Sequence, residues 1–198
     1  DHTGQPRNMK KALIITYYWP PGAGAGVLRW LKFCKYLEQF GWECVVYTPE
    51  NPEPQGVDNS LEGDIPKSTK VLRRHIIEPY TLYKLFTGRK KEEKIQSGFL
   101  NEEKPSGFAE KLSVWIRGNL FIPDARCLWV NPSVKFLRSW IRKNHIDAII
   151  STGPPHSMHL IGLYLKQSTG LPWMADFRDP WTNIDYHHRL MLGPRAER

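Results

Sequence analysis

The sequence has no apolar run near the ~20 residues that a membrane-spanning helix needs, and residues 1–8 lack the apolar stretch of a secretory signal. Its three cysteines, Cys34, Cys44 and Cys127, are odd in number and widely spaced. That excludes a disulfide framework and a four-cysteine zinc site, and it favours a reducing compartment. We therefore expect a cytoplasmic protein. Because Met9 is followed by two lysines, as at a natural start, we expect residues 1–8 to be a vector remnant or a disordered tail.

The 198 residues are enough for one large α/β domain or two small ones, and 40% hydrophobic residues are typical of globular proteins. The net charge of +8 is unevenly distributed. Residues 50–64 hold five acids and no Lys or Arg, whereas residues 67–91 hold eight Lys or Arg and one acid. Such a positive field attracts phosphates of nucleic acid, anionic lipid or a diphosphate ligand. A solvated basic face is the equal alternative.

Short apolar runs alternate with helical patterns along the chain. The predicted strands are residues 11–19, 43–48, 71–77, 147–152 and 172–177. Three helices are predicted: one from Val27 to a stop at Gly41, one from an N-cap at Asn131, and one over residues 158–167 that is closed by Gly170. Residues 49–66 are predicted to be a loop too polar for the core, and helical pieces are expected around residues 80–86 and 109–117. This alternation predicts a doubly wound, mostly parallel sheet with helices on both faces.

In a doubly wound sheet of order 3-2-1-4-5, ligands bind where the order reverses, at the carboxyl ends of the first and fourth strands. Residues 20–26 follow the first predicted strand and residues 153–157 follow the fourth. Both loops are rich in Gly and Pro, and each opens a helix. The topology therefore brings them together, with residues 178–181 after the fifth strand as a neighbouring wall.

Gly22, Gly24 and Gly26 stand at alternate positions of the first loop. Glycine removes the Cβ atoms that keep a ligand from the backbone and permits the dihedrals of a tight anion-binding loop. The helix that follows offers free N–H groups to a phosphate. The alternative is a simple tight turn that lets helix and strand pack closely. The spacing matches neither G-x-G-x-x-G nor the P-loop pattern.

His156 opens the helix at the switch point, where it is placed to donate to a substrate hydroxyl or to act as a base near neutral pH. A purely structural role is the alternative. His159 lies three residues further, but no Cys or carboxylate joins the pair at ligand spacing, so no metal site is expected. Asp176, Arg178 and Asp179 are candidates for binding a sugar or polar acceptor. Alternatively, Arg178 pairs with a carboxylate, and for Asp176 we favour such a pairing.

Three motifs together resemble the amino-terminal half of family 4 glycosyltransferases. They are Tyr-Tyr-Trp-Pro-Pro-Gly-Ala-Gly-Ala-Gly-Val-Leu-Arg-Trp at residues 17–30, Ser-Thr-Gly-Pro-Pro-His-Ser at 151–157 and Asp-Phe-Arg-Asp-Pro-Trp at 176–181. The resemblance covers residues 9–198. It implies the first Rossmann-like domain of a GT-B fold, the domain that binds mainly the acceptor. It also implies retaining transfer without a metal or other cofactor, and the chain accordingly has no Asp-x-Asp.

By the same resemblance, Gly22, Gly24 and Gly26 would approach the donor diphosphate or an acceptor phosphate, and His156 would touch the transferred sugar. Asp179 would lie near the acceptor. The partners implied are a nucleotide-sugar donor and a lipid-linked or cell-envelope saccharide. The Glu-x7-Glu pattern of the donor domain has no counterpart in the sequence. We therefore expect residues 9–198 to be the acceptor-side domain alone, inactive without its nucleotide-sugar domain.

Two other functions fit parts of the sequence. A dinucleotide-binding oxidoreductase domain would share the topology and place Glu50 after the second strand, but the glycine spacing disfavours it. A non-catalytic phosphate- or nucleic-acid-binding module would rest on the basic stretch alone, and no nucleic-acid motif supports it, so we expect no nucleic-acid partner. Aromatic and basic residues at 80–91 are the mixture found at anionic bilayer surfaces. They predict peripheral contact with the inner face of the membrane.

Overall fold

A five-stranded sheet organises the part of the chain that the computed structural model describes, residues 9–53, 56–76 and 122–179. Its strands are β1 (Lys10–Ile15), β2 (Trp42–Pro49), β3 (Lys70–Arg74), β4 (Ala148–Gly153) and β5 (Trp173–Phe177). The order is β3-β2-β1-β4-β5, and all four pairings are parallel. The predicted doubly wound Rossmann-like sheet is confirmed.

Three α-helices cover the two faces of this sheet: α1 (Ala25–Leu37), α2 (Val130–Asn144) and α3 (Ser157–Thr169). Successive strand residues point to opposite faces, so Ile14 and Val46 pack with α1, whereas Leu13 and Val45 pack with α2 and α3. The central strands β1 and β2 are therefore buried on both faces. That burial explains why their sequences are apolar without alternation.

Two segments between the strands differ from the prediction. The first strand ends at Ile15, although Tyr17 and Trp19 beyond it stay fully buried. The polar segment 49–66 contains a 3-10 turn, Asn59–Asp64, whose Leu61 packs into the cluster beneath α1. The prediction that this segment is too polar for the core was wrong at that residue, because one apolar side chain in a polar loop is enough to anchor it.

The predicted N-cap at Asn131 was also wrong. A 3-10 turn, Cys127–Trp129, runs directly into α2, which begins at Val130 without a side-chain cap. Pro132 then lies in the first helical turn, where its missing N–H has no intrahelical acceptor to lose. The predicted helix stops are present: Gly41 and Gly170 both have positive φ, 79° and 76°.

The pieces predicted around 80–86 and 109–117, the tail at 1–8 and the basic-aromatic stretch 80–91 lie outside the described residues. No helix in the described ranges is both long enough and apolar enough to cross a bilayer.

Candidate functional site

Arg178 joins three of the loops that leave the carboxyl edge of the sheet. Its Nε donates to the carbonyl oxygen of Gly153 at 2.8 Å, and its Nη2 donates to that of Pro154 at 3.3 Å. Its guanidinium also lies against Gly26, with Cζ 2.7 Å from the position that a Cβ there would take. The loops after β1, β4 and β5 therefore meet at one place, beside the β1–β4 boundary where the strand order reverses.

Backbone hydrogen bonds hold the glycine loop in shape before any ligand binds. The Ala23 amide donates to the carbonyl of Gly56 at 2.9 Å, and the Asp58 amide donates to that of Pro21 at 2.8 Å. Both bonds tie the loop to the segment that follows β2. A loop fixed in this way loses little conformational entropy when it binds a ligand.

A different structural feature accounts for glycine at each of the three positions. Gly24 has φ 125° and ψ 162°, a backbone conformation that L-residues rarely adopt. Gly26 leaves the space that the Arg178 side chain fills. Gly22 forms an isolated antiparallel bridge with Val57. A phosphate approaching Gly26 would therefore meet a guanidinium as well as the backbone.

The first turn of α1 is electropositive. It contains no acidic residue and has no side-chain cap. Among the described residues, the amides of Ala25 and Gly26 have no hydrogen-bond acceptor, as expected for the first amides of a helix. An anion such as a phosphate is favoured at this place by the two amides, by the positive end of the helix dipole and by the guanidinium of Arg178.

The first turn of α3 is different, because Asp124 already occupies it. The Ser157 amide and hydroxyl each donate to the Asp124 carboxylate at 2.8 Å, and the Arg126 amide adds a third hydrogen bond of 2.8 Å. The sequence analysis missed Asp124, which is 33 residues from Ser157 and belongs to no motif. Of the helices that follow β1 and β4 directly, α1 has an N-terminus without a side-chain cap, whereas the first turn of α3 is occupied by Asp124.

His156 occupies the N-cap position of α3, as predicted, and is half-buried. Burial lowers the pKa of this imidazole, while the nearby carboxylates of Asp124 and Asp179 oppose that shift. Asp179 itself is exposed. At neutral pH the ring is therefore a neutral hydrogen-bonding group beside an exposed carboxylate.

Behind His156, His159 is held in a buried polar network that the sequence analysis did not foresee. A 2.9 Å hydrogen bond joins its Nδ1 to the hydroxyl of Ser151, which also accepts from Trp173 Nε1 at 2.9 Å. Its ring stacks on Phe177 at 4.0 Å between centroids. Burial, reinforced by the neighbouring imidazole of His156, lowers the pKa of His159 to about 4. His159 thus supports the loop that carries His156.

Asp176 is paired, but not with Arg178. Its carboxylate accepts from Arg29 Nη2 at 3.0 Å, Trp30 Nε1 at 2.9 Å and Thr152 Oγ1 at 3.0 Å. The alternative that Arg178 pairs with Asp176 was therefore wrong, because Arg178 is directed to backbone carbonyls instead. Asp176 ties α1 to the sheet, and this role leaves Arg178 and Asp179 as the polar side chains of the fifth-strand loop. Pro180 and Trp181 lie outside the described residues.

Comparison with known proteins finds matches among solved structures. No protein-family model matches the sequence, and no curated protein matches it. Among solved structures, UGT2 of Phytolacca americana, complexed with UDP-2-fluoro-glucose and pterostilbene, is 14% identical over 87% of this chain and 31% of its own, with a TM-score of 0.46. LpCGTa in complex with UDP is 13% identical over 84% of this chain and 30% of its own, with a TM-score of 0.44.

The chain thus spans about a third of the length of these two proteins. The C-terminal domain of PF1911 hydrogenase from Pyrococcus furiosus is 14% identical over 88% of this chain and 96% of its own, with a TM-score of 0.41. The two UDP-bound proteins and this hydrogenase domain therefore have similar sequence identities and TM-scores to the chain. The likeness therefore does not distinguish between functions.

Proposed function

We propose that the chain is the acceptor-side domain of a retaining, metal-independent glycosyltransferase of family 4. It would move a sugar from a nucleotide-sugar to a lipid-linked or cell-envelope saccharide. The observation that carries the proposal is the position of Arg178. Its side chain contacts Gly26 and donates a hydrogen bond to the carbonyl oxygen of Gly153. Residues of all three motifs thereby meet beside the uncapped first turn of α1.

The donor diphosphate would lie against the first turn of α1. The amides of Ala25 and Gly26 would donate to its oxygens, and Arg178 would supply a full positive charge beside them. Breaking the sugar–phosphate bond leaves an additional negative charge on the departing nucleoside diphosphate. Donors fixed in advance around that charge stabilise the transition state more than the ground state.

His156 would contact the transferred sugar from the opposite loop. Because its pKa is lowered by burial, its ring is neutral at pH 7 and would act towards a sugar hydroxyl as a neutral hydrogen-bonding group. Asp179, exposed beside it, would accept a hydrogen bond from the acceptor. These contacts orient the two reactants, and orientation lowers the barrier of a two-substrate reaction.

The nucleoside would be bound by a second, nucleotide-binding domain facing this one, as the resemblance implies. The contacts proposed above involve the diphosphate and the sugar, and none of them involves the base or the ribose. We therefore expect the 198-residue chain to bind diphosphates weakly and to transfer no sugar. Transfer by the purified chain alone, measured with radiolabelled nucleotide-sugars, would contradict this division of labour.

The direct test is calorimetric titration of the chain with pyrophosphate and then with UDP, GDP and ADP. We expect competing, weak binding that Arg178→Gln weakens about tenfold, since one charge-assisted interaction is removed. Arg138→Gln, an exposed residue of α2, is the matched control and should leave affinity unchanged. No effect of Arg178→Gln would overturn the site, and NAD binding tighter than pyrophosphate would favour the dinucleotide-binding alternative.

A further inference from the structure

The outer face of α2 carries positive charge without compensation in the surrounding sequence. Lys135, Arg138, Arg142 and Lys143 are all exposed. Residues 125–146 contain no Asp or Glu. None of the four side chains forms an ion pair with an acid in the described part of the chain.

The cations lie along one side of the helix. A shallow groove of about 360 Å³ is lined by Asn131, Val134, Lys135, Arg138 and Arg142. Steps of three and four residues keep side chains on one helix face. At 1.5 Å per residue the stripe from Lys135 to Arg142 is roughly 10 Å long. It is a linear positive surface.

The edge strand β3 widens this surface. Lys70 Nζ lies 5.4 Å from the ring centre of Trp140, and Arg74 Cζ lies 4.6 Å from that of Phe136. Both rings belong to α2, and both cations are exposed on the same side of the sheet. The cation–π contacts hold two further positive charges beside the α2 stripe. We call Lys70, Arg74, Lys135, Arg138 and Arg142 the basic face.

Helix stability does not account for the basic face. Cations in the last turn of a helix interact favourably with its dipole, which explains Arg142 and Lys143 but neither Lys135 nor Arg138. Like charges three or four residues apart destabilise a helix by a few tenths of a kcal/mol. The arrangement therefore opposes folding slightly, and an external anionic partner would offset the repulsion.

We propose that the basic face docks on an anionic bilayer. The inference deepens the proposed function, because a lipid-linked acceptor is presented at such a surface. Single-stranded nucleic acid is disfavoured because bases need free aromatic faces: Phe136 has Arg74 on its ring and also stacks with Tyr47, at 6.0 Å between centroids. A row of Lys and Arg beside half-buried aromatic side chains suits anionic headgroups instead.

The test is co-sedimentation of the full 198-residue chain with vesicles of phosphatidylcholine alone or with 30% phosphatidylglycerol (about a third anionic lipid, enough to set up a surface potential). We expect binding only to the anionic vesicles, weakening as salt screens the charges. Arg138→Gln/Arg142→Gln should weaken it about tenfold or more, since each basic residue near the surface contributes about fivefold. Lys32→Gln/Lys35→Gln, on the helix covering the other sheet face, removes the same charge and should have little effect.

Equal loss in the two double variants would overturn the basic face as the docking surface, as would equal binding to neutral vesicles. Tighter binding to an RNA strand or DNA duplex than to anionic vesicles, abolished by Arg138→Gln/Arg142→Gln, would assign the surface to nucleic acid and overturn the proposal. Circular dichroism shows whether each variant is folded. Pyrophosphate affinity should be unchanged in Arg138→Gln/Arg142→Gln, so failure here is distinguishable from failure of the proposed function.

Discussion

The guanidinium of Arg178 occupies the space beside Gly26 in which any other residue would carry its Cβ. The two residues are in different motifs, one in the first turn of α1 and one after β5. The absence of a side chain at Gly26 therefore admits the chain's own arginine. A ligand at the glycine loop meets a cation that the fold has already placed there.

Gly26→Ala should consequently impair binding without impairing the fold. The added Cβ forces the flexible end of Arg178 to move, while alanine improves helix propensity by up to about 1 kcal/mol. We expect pyrophosphate affinity to fall as far as in Arg178→Gln, with a free energy of unfolding within about 1 kcal/mol of wild type. Gly63→Ala, where a Cβ meets nothing within 4 Å, is the control. Unaltered affinity in Gly26→Ala would contradict the role given to Arg178.

Gly24→Ala should show the opposite balance. Its φ of 125° lies where an L-residue is strained by about 1–3 kcal/mol. We expect urea unfolding to show a loss of that size, clearly greater than for Gly26→Ala. Equal stabilities of the two variants would show that the loop relaxes freely around Gly24, contrary to the hydrogen bonds that fix it.

Asp124→Ala should uncap α3 and alter His156. Removing a carboxylate that accepts from the amide and hydroxyl of Ser157 should lower stability by about 1–2 kcal/mol. Because Asp124 raises the pKa of His156 against the effect of burial, its removal should lower that pKa further. An NMR titration of the His156 ring measures this. Ser157→Ala keeps the carboxylate and should leave the His156 pKa nearly unchanged; a rise in Asp124→Ala would refute the assignment.

The strands and their order were predictable because burial on both faces leaves unbroken apolar runs, as in β2, and because a parallel sheet of this class has few orders. The convergence of the loops at Gly26 and Gly153 follows from that order. It needs only the rule that parallel strands end at the same edge.

The contacts within the site were not predictable, since they join residues far apart in sequence. Asp176 and Arg29 are 147 residues apart, and nothing near either residue indicates the pairing. Asp124 is likewise distant from Ser157, the residue that it caps. A nearby motif partner, such as Arg178 for Asp176, is the natural guess from sequence. The fold instead directs Arg178 to carbonyl oxygens that the turn after β4 exposes.

His159 should make the protein less stable in mild acid. Its pKa is about 4 in the native state, against a usual value of 6.5, so between these values the unfolded chain binds a proton that the native chain excludes. The stability that comes from keeping this ring neutral is complete above pH 6.5 and is lost as the pH falls towards 4, by at most about 3 kcal/mol. We expect His159→Gln to have a smaller drop in unfolding free energy between pH 7 and pH 4 than wild type.

The control is His145→Asn, which replaces an exposed histidine in the left-handed conformation with a residue that tolerates that conformation. It should keep the wild-type drop in unfolding free energy. His159→Gln also weakens the hydrogen-bond network at Ser151. The comparison therefore uses the change of unfolding free energy with pH, measured by urea unfolding, and not the absolute unfolding free energy. Parallel curves for His159→Gln and wild type would mean that the buried ring titrates as freely as in the unfolded chain.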